Sequence, residues 1–295
     1  MRLLITGATG HTGNFFLEQL NNNPKNVNEI ICTVRETTNT DNLKKFNNLN
    51  IKTVVGNLKD DHYINEITKD IDVIINIANI RFSEILAKYG KMNNVKWLIG
   101  IHTTGRYSKF KSASAEYISI EDNLLKNKDL DLTILRPTMI YGSTKDHNMS
   151  KLIKFLDKTP VFPIFGDGKN LLQPVRAQDL GKAIYDVLFS YEKCKNKEYN
   201  LSGKNEIEYI DILKIISNQL NKRIIFIKLP IKLCYIIAVI GERFIPKFPI
   251  KAEQVLRMQE DKIYSHQEAK DDFEYNPLEF EQGIKDEVRE YLNTK

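Results

Sequence analysis

The chain has 295 residues, 42% hydrophobic and 27% charged, which suits one large α/β unit or two modest domains and argues against a disordered chain. Its 43 Lys and Arg against 38 Asp and Glu leave a formal charge of only +5, spread without a basic tail or an Arg-rich block, so no nucleic-acid partner is expected. Cys32, Cys194 and Cys234 lie far apart with no CxxC pair, which fits buried thiols in a reducing compartment better than a disulfide framework.

The opening MRLLITGATG has no long apolar segment, so a cytoplasmic location is expected. Arg2 to Thr6 reads as a strand, Thr12 to Leu20 as a helix, and Glu29 to Val34 as a second strand. Ile51 to Val55, Asp72 to Ile77, Trp97 to His102 and Leu132 to Leu135 supply four more apolar runs with room for helices between them. This alternation predicts a Rossmann-type, doubly wound parallel sheet covered on both faces.

After Arg136-Pro137 the pattern changes. Ser150 to Asp157 and Asp179 to Phe189 read as helices, Pro160 to Asn170 as an irregular segment, and Tyr199 to Ser202 as a strand returning to the sheet. Asp211 to Leu220, the segment after Pro230, and Glu279 to Leu292 are further helical candidates. We therefore expect a core over residues 1–142 with returning elements from 174–203, and a smaller, mostly helical C-terminal lobe from 143–173 and 204–295. Ile231 to Ile245 is interrupted by Lys232, Glu242 and Arg243 and falls short of the roughly 20 apolar residues of a spanning helix, so stable membrane insertion is not expected. The 230–249 stretch reads as a helix of the lobe or of an interface, which leaves a homo-oligomer open.

The strongest constellation is Thr6-Gly7-Ala8-Thr9-Gly10-His11-Thr12-Gly13, between a strand and a helix. Gly7 permits a tight turn, Gly10 lets a pyrophosphate approach the backbone, and Gly13 allows close helix-to-sheet packing. Unpaired N–H groups and the positive end of the helix dipole favour phosphate oxygens, with Thr9, His11 and Thr12 alongside. The GxxGxxG spacing differs from GxGxxG but meets the same physical requirement, and no GK[ST] ending marks a mononucleotide P-loop. At the end of the second strand, Arg35 can face the extra phosphate of NADP, which makes NADP the favoured cofactor with NAD as the alternative; a surface salt bridge to Glu36 is the competing role.

Together with Arg136-Pro137, Tyr141-Gly142 and Asp179-Leu180, the TGATGHTG motif resembles the short-chain dehydrogenase/reductase superfamily, in the extended and atypical branches that include nucleotide-sugar epimerases and dehydratases. The resemblance implies that Gly7, Gly10 and Gly13 cradle a dinucleotide and that Asn57 and Leu58 lie near adenine. It also places Ile77, Ala78 and Asn79 beside the nicotinamide ribose, Thr103 or Thr104 near the catalytic hydroxyl, and Pro137 on the nicotinamide side. Chemistry in the superfamily uses a Tyr and a Lys four residues apart, and Tyr107 to Lys111 has that spacing. If Tyr107 begins a helix the two share one face, and proton transfer would pass through Tyr107 with Lys111 and Thr104 in support. The loop between Thr104 and Tyr107 is shorter than the family's, so aromatic packing with a solvated Lys is the competing role. A second register puts Ala113 and Tyr117 at the catalytic positions and leaves no such pair.

Substrate specificity is expected from Asn148, Gln173 and Arg176, with an apolar wall from Met139 or Phe165. Arg176 could hold a phosphate or carboxylate, or pair with Asp146 or Asp179. His11, His62, His102, His147 and His266 form no metal-ligand pattern, so no metal is expected. The reading is an NAD(P)-dependent oxidoreductase or epimerase-like enzyme acting by hydride transfer on a small polar substrate such as a nucleotide sugar. A non-catalytic dinucleotide-binding regulatory or scaffold protein is the alternative.

Overall fold

The computed structural model describes residues 1–126, 129–146, 148–245 and 251–295, and the side chains of Lys111 and Ala113 are outside that set, as are His147 and the end of the 230–249 stretch. The first half alternates strand and helix: β1 (Arg2–Thr6), α1 (His11–Asn22), β2 (Glu29–Val34), β3 (Ile51–Val55), α2 (Asp61–Ile67), β4 (Val73–Asn76), α3 (Ser83–Met92), β5 (Trp97–Ile101), α4 (Lys111–Lys126) and β6 (Asp131–Pro137). Every residue of β4 and β5 is buried, as the continuous apolar runs require of central strands in a sheet covered on both sides.

The second half begins with β7 (Ile140–Tyr141), α5 (Met149–Lys158), β8 (Val161–Phe165), β9 (Leu171–Leu172), β10 (Val175–Arg176), α6 (Ala177–Leu188), α7 (Tyr191–Cys194) and β11 (Lys197–Leu201). It continues through β12 (Ile207–Glu208), α8 (Tyr209–Gln219), β13 (Ile225–Leu229), α9 (Ile231–Phe244), α10 (Ala252–Arg257), α11 (Gln267–Phe273) and α12 (Phe280–Asn293).

Seven strands form one sheet in the order β11-β6-β5-β4-β1-β2-β3, every neighbouring pair parallel. The chain runs outward from β1 in one direction to β3 and then in the other to β11, so the strand order reverses between β1 and β4. Ligands of doubly wound sheets bind at such a crevice, outside the carboxyl ends of the strands. One face of the sheet is covered by α1 and α6, with Phe16, Leu17 and Ile184 fully buried, and α11 joins that side through Ala269 and Phe273. Leu86, Ile120 and Leu124 of α3 and α4 pack on the other face. The smaller C-terminal lobe has its own core, centred on Ile153, Leu156, Ile212, Ile216 and Ile284.

Two elements depart from the sequence expectation. The segment after Pro160, expected to be irregular, contains β8, because β13 supplies a parallel partner in register from Val161↔Ile225 to Phe165↔Leu229. Tyr107 does not open α4. It ends a 3-10 turn over Thr104–Tyr107, and Ser108 is extended at φ −59° and ψ 137° before α4 begins at Lys111. Tyr107 and Lys111 therefore do not share a helical face.

Candidate functional site

A cleft of about 800 Å³ opens at the carboxyl edge of the sheet, where the strand order reverses. It lies within the roughly 300–1,000 Å³ typical of ligand sites. Of the expected cofactor residues, Gly7, Thr9, Gly10, His11, Thr12, Gly13, Arg35, Asn57, Leu58, Ala78 and Asn79 all line it, and Pro137 does not.

The glycines have separate reasons for being glycine. Gly7 has φ +74°, and a Cβ there would stand 2.7 Å from the Ala78 backbone nitrogen, so the turn is pressed against the loop after β4. At Gly13 a Cβ would reach 2.2 Å from the Gly7 carbonyl oxygen, which packs the first turn of α1 against the turn after β1. Gly10 is different: within 4 Å a Cβ meets only the Gly7 carbonyl oxygen, at 3.2 Å, so folding alone would tolerate a small side chain there better. Gly10 is exposed at the cleft and caps α1 with no side-chain hydrogen bond, and the first turn carries no acid. The leading N–H groups of the helix are thus left for an external acceptor, and an anion is the natural one. Burial lowers the His11 imidazole pKa, opposed by the carboxylates of Asp146 and Glu290, and its Nε2 is buried without a partner.

Arg35 follows β2 directly, is exposed, lines the cleft, and forms no ion pair with Glu36 or any other described residue. Thr33, Val34 and Thr38 complete that wall. Beyond β3, Gly56 lies against the Tyr63 ring, and the Tyr63 hydroxyl donates to the Val54 carbonyl oxygen at 2.9 Å. Asn57 Oδ1 accepts from the Lys59 backbone N–H at 3.0 Å, closing a local turn.

Beneath the cleft runs a chain of buried hydrogen bonds. Thr6 Oγ1 donates to Asn76 Oδ1 at 2.7 Å, and Asn76 Nδ2 donates to Ser83 Oγ at 2.9 Å. Ser83 Oγ and His102 Nε2 are 2.9 Å apart, and His102 Nδ1 lies 3.1 Å from Glu121 Oε1. Burial lowers the His102 pKa, so the ring is neutral near pH 7; a proton on Nδ1 lets it donate to Glu121 and accept from Ser83. Glu121 Oε2 accepts from Arg136 Nε at 2.8 Å and Nη2 at 2.6 Å, and also from Arg106 Nη1. Burial opposes ionisation of Glu121, but His102 and the two guanidiniums outweigh it and hold the carboxyl at a pKa of about 2.

Tyr107 joins the far end of this network. Its hydroxyl accepts from Arg136 Nη1 at 3.0 Å and donates to Asn200 Oδ1 at 3.1 Å, and its ring packs 5.1 Å from that of Tyr264. It is 42% exposed and does not line the cleft. Thr104 Oγ1 donates to the Pro137 carbonyl oxygen at 3.2 Å. Lys111 is described only as the first residue of α4.

The three expected substrate residues are not brought together. Asn148 lines the cleft. Gln173 is buried and structural: its Nε2 donates to the Gly203 carbonyl oxygen at 3.2 Å and its Oε1 accepts from the Tyr264 backbone N–H at 2.9 Å. Arg176 pairs with Asp179 at 3.2 Å and lies 3.8 Å from Asp286, the salt-bridge alternative. Ile140 and Phe82 line the cleft where Met139 or Phe165 was expected, as do Lys145, missed in the sequence, and Asp146, which the sequence offered only as a partner for Arg176. Asp146 accepts from the backbone N–H groups of Asn148 and Ser150, capping α5. Only the coarse signal of a turn with Asp three to four residues before an apolar helix could have found it.

The NmrA-like family profile matches residues 1–92. Among solved structures, the protein gox2253 superposes with a TM-score of 0.81 at 17% identity, covering 99% of this chain and 98% of the other. A double mutant of DesIV, a dTDP-glucose 4,6-dehydratase from Streptomyces venezuelae solved with NAD bound, has a TM-score of 0.76 at 17% identity over 99% of this chain and 97% of its own. By sequence, the mitochondrial NADH dehydrogenase (ubiquinone) 1 alpha subcomplex subunit 9 of Arabidopsis thaliana is 22% identical over 275 residues, which are 87% of this chain and 67% of that protein. The structural likenesses are likenesses of fold.

Proposed function

We propose that this chain, which has the NAD(P)-binding fold of the short-chain dehydrogenase/reductase superfamily in its epimerase/dehydratase-like form, binds NADP in the cleft and serves hydride transfer to or from a small polar substrate. One observation carries the cofactor reading: a glycine-built turn with unpaired helix N–H groups shares a cleft with an unpaired arginine at the end of the second strand. Gly7, Gly10 and Gly13 would hold the pyrophosphate, Arg35 the 2′-phosphate, Asn57 and Leu58 the adenine, and Ala78 and Asn79 the second ribose. The cofactor, when bound, would supply the hydride acceptor or donor. The side chains at the open end, Lys145 and Asn148, would orient a polar substrate, and Phe82 and Ile140 would exclude water from its apolar side. A nucleotide sugar suits this arrangement, since its phosphates would meet Lys145 and since the dehydratase of similar fold is named for such a substrate. Three buried, unpaired thiols support a reducing, cytoplasmic setting.

A second reading is a dinucleotide-binding subunit without turnover. It is favoured by the Tyr107 hydroxyl, which has both its proton and a lone pair engaged by Asn200 and Arg136, and by the relative named as a subunit of a larger complex. Calorimetry with NADP and NAD tests the first part of the proposal. Arg35→Ala should weaken NADP binding roughly 10- to 100-fold, the loss of a charge-assisted contact, and leave NAD binding nearly unchanged. Equal losses for both would assign Arg35 to a generic role. Turnover of a panel of nucleotide sugars, followed by nicotinamide absorbance, separates the two readings.

A further inference from the structure

Among the described residues, twelve of the eighteen exposed large hydrophobic side chains fall between Ile225 and Met258. Most belong to α9, whose buried positions among the described residues form a narrow stripe of small side chains, with Ile231 partly buried at its start. Cys234, Ala238 and Gly241 are its buried positions, and Cys234 and Ala238 pack on Ala252 and Val255 of α10. The outward face presents Leu233, Ile236, Ile237, Ile240 and Phe244, each at least half exposed. A surface helix of a soluble domain carries polar residues on that face, so this one is built to be covered. Ile225 and Ile227 of β13, the strand that leads into α9, are exposed as well, and an apolar notch of about 280 Å³ opens between α9 and α10 beside Lys232, Tyr235 and Leu256.

The charges around the patch say what covers it. Arg223, Lys228, Lys232, Arg243 and Lys251 are exposed, and none has an ion pair among the described residues. The acids of the same stretch are turned to other partners. Glu242 accepts from the Ala252 backbone N–H at 3.1 Å, Glu253 from the Ser112 hydroxyl, Glu260 from Ser108 and the Lys109 backbone N–H, and Asp261 from the Leu171 backbone N–H at 2.7 Å. These bonds come from neutral donors and leave the four carboxylates charged, but they draw three of them away from α9, so the charges on the helix itself are dominated by Lys232 in its first turn and Arg243 in its last. A 14-residue helix is about 21 Å long, and among the described residues no helix is long and apolar enough to cross a membrane. An apolar helix with cations at both ends is suited to lie in the plane of a bilayer surface, its side chains among the acyl chains and its charges at the headgroups.

We propose that α9 and the adjoining edge of β13 dock the protein peripherally on a bilayer containing anionic lipid. The proposal is independent of the cofactor reading. It is tested by flotation of the full chain with vesicles of phosphatidylcholine alone and of phosphatidylcholine with phosphatidylglycerol. Binding to the anionic vesicles should be at least tenfold tighter than to the neutral ones and should weaken with added salt. The double variant Ile236→Asp/Ile240→Asp should lose binding to both, while Lys232→Gln/Arg243→Gln should lose mainly the preference for phosphatidylglycerol. All these positions are exposed, and circular dichroism of each variant checks that the fold is kept. Absence of binding to either vesicle, or equal binding to both, overturns the proposal. A dimer in sedimentation velocity that Ile236→Asp/Ile240→Asp dissociates also overturns it, by assigning the face to a second copy of the chain.

Discussion

At the glycine-turn end of the cleft the polar groups at the opening are the first N–H donors of α1 and the Arg35 guanidinium, none with a partner among the described residues. Beyond Asn79 the polar groups are bonded to one another: Thr6, Asn76, Ser83, His102, Glu121 and Arg136 form one satisfied series that ends at Tyr107 and Asn200. The first region leaves its donors open, and the second satisfies its own. Unpaired donors at a surface mark a binding site, whereas a closed network in a dry interior mainly fixes geometry.

The largest expected effect follows from breaking the closed network at its hub. Glu121→Ala removes a fully buried carboxylate and leaves the Arg136 and Arg106 guanidiniums facing each other without it, so denaturant unfolding should show a loss of roughly 3–5 kcal/mol. A loss below about 1 kcal/mol would mean that solvent reaches this network and that the contrast between the two regions is false.

A second carboxylate tests the lobe side of the cleft through pH. Glu287 Oε2 accepts from the Gly142 backbone N–H at 2.7 Å, while its buried Oε1 has no donor, and burial next to Asp146 raises its pKa from the ordinary 4.5 to about 10. A proton on Glu287 gives that oxygen a bond to donate to Asp146. Because the folded pKa lies above the unfolded one, this contribution is full below about 4.5 and is lost as pH rises toward about 10. Between pH 6 and 9 the wild type should lose roughly 1 kcal/mol of stability per pH unit. Glu287→Gln, which keeps both hydrogen bonds without a titratable proton, should flatten that slope; equal slopes for the two proteins would remove the proton from Glu287.

At the glycine-turn end, Gly10→Val should leave folding nearly intact, since its Cβ meets only one backbone oxygen, yet weaken dinucleotide binding at least tenfold, about 1.4 kcal/mol. Unchanged affinity in calorimetry would detach Gly10 from the ligand. The smallest effect is expected at Tyr107. Tyr107→Phe removes two hydrogen bonds at a partly exposed position and should cost about 1 kcal/mol of stability without changing cofactor affinity. Lost turnover at retained affinity would restore Tyr107 to the chemistry and reopen the far end of the cleft.

The placement of the glycine turn in the cleft was legible in the sequence because its determinants are local: three glycines, a strand before them and a helix after. The same holds for the position of Arg35, which depends only on where β2 stops. The network was not legible, because Glu121 meets Arg136 and Arg106 only once α4, β6 and the 3-10 turn are folded together. The spacing from Tyr107 to Lys111 misled for a related reason. Ser108 is held by Glu260, 152 residues away, and that contact favours an extended Ser108 over a continued helix. Likewise β8 contains Pro163 and two aromatic residues and reads as irregular until β13 is supplied as its partner.

The position of β11 has a consequence for how the protein is made. The ribosome releases β1 through β6 first, but among the described residues the outer edge of β6 is paired by Lys197–Leu201, and α6 (Ala177–Leu188) packs on α1. Gly181 lets α6 approach so closely that a Cβ there would stand 2.7 Å from the Phe16 backbone nitrogen, so this cover has no loose substitute. For some sixty residues of synthesis the nascent chain therefore carries an open parallel edge and an uncovered apolar helix face, the features that invite aggregation. A fragment ending near Gly142 would keep that condition permanently, with the glycine turn on a helix that has lost the backing of α6.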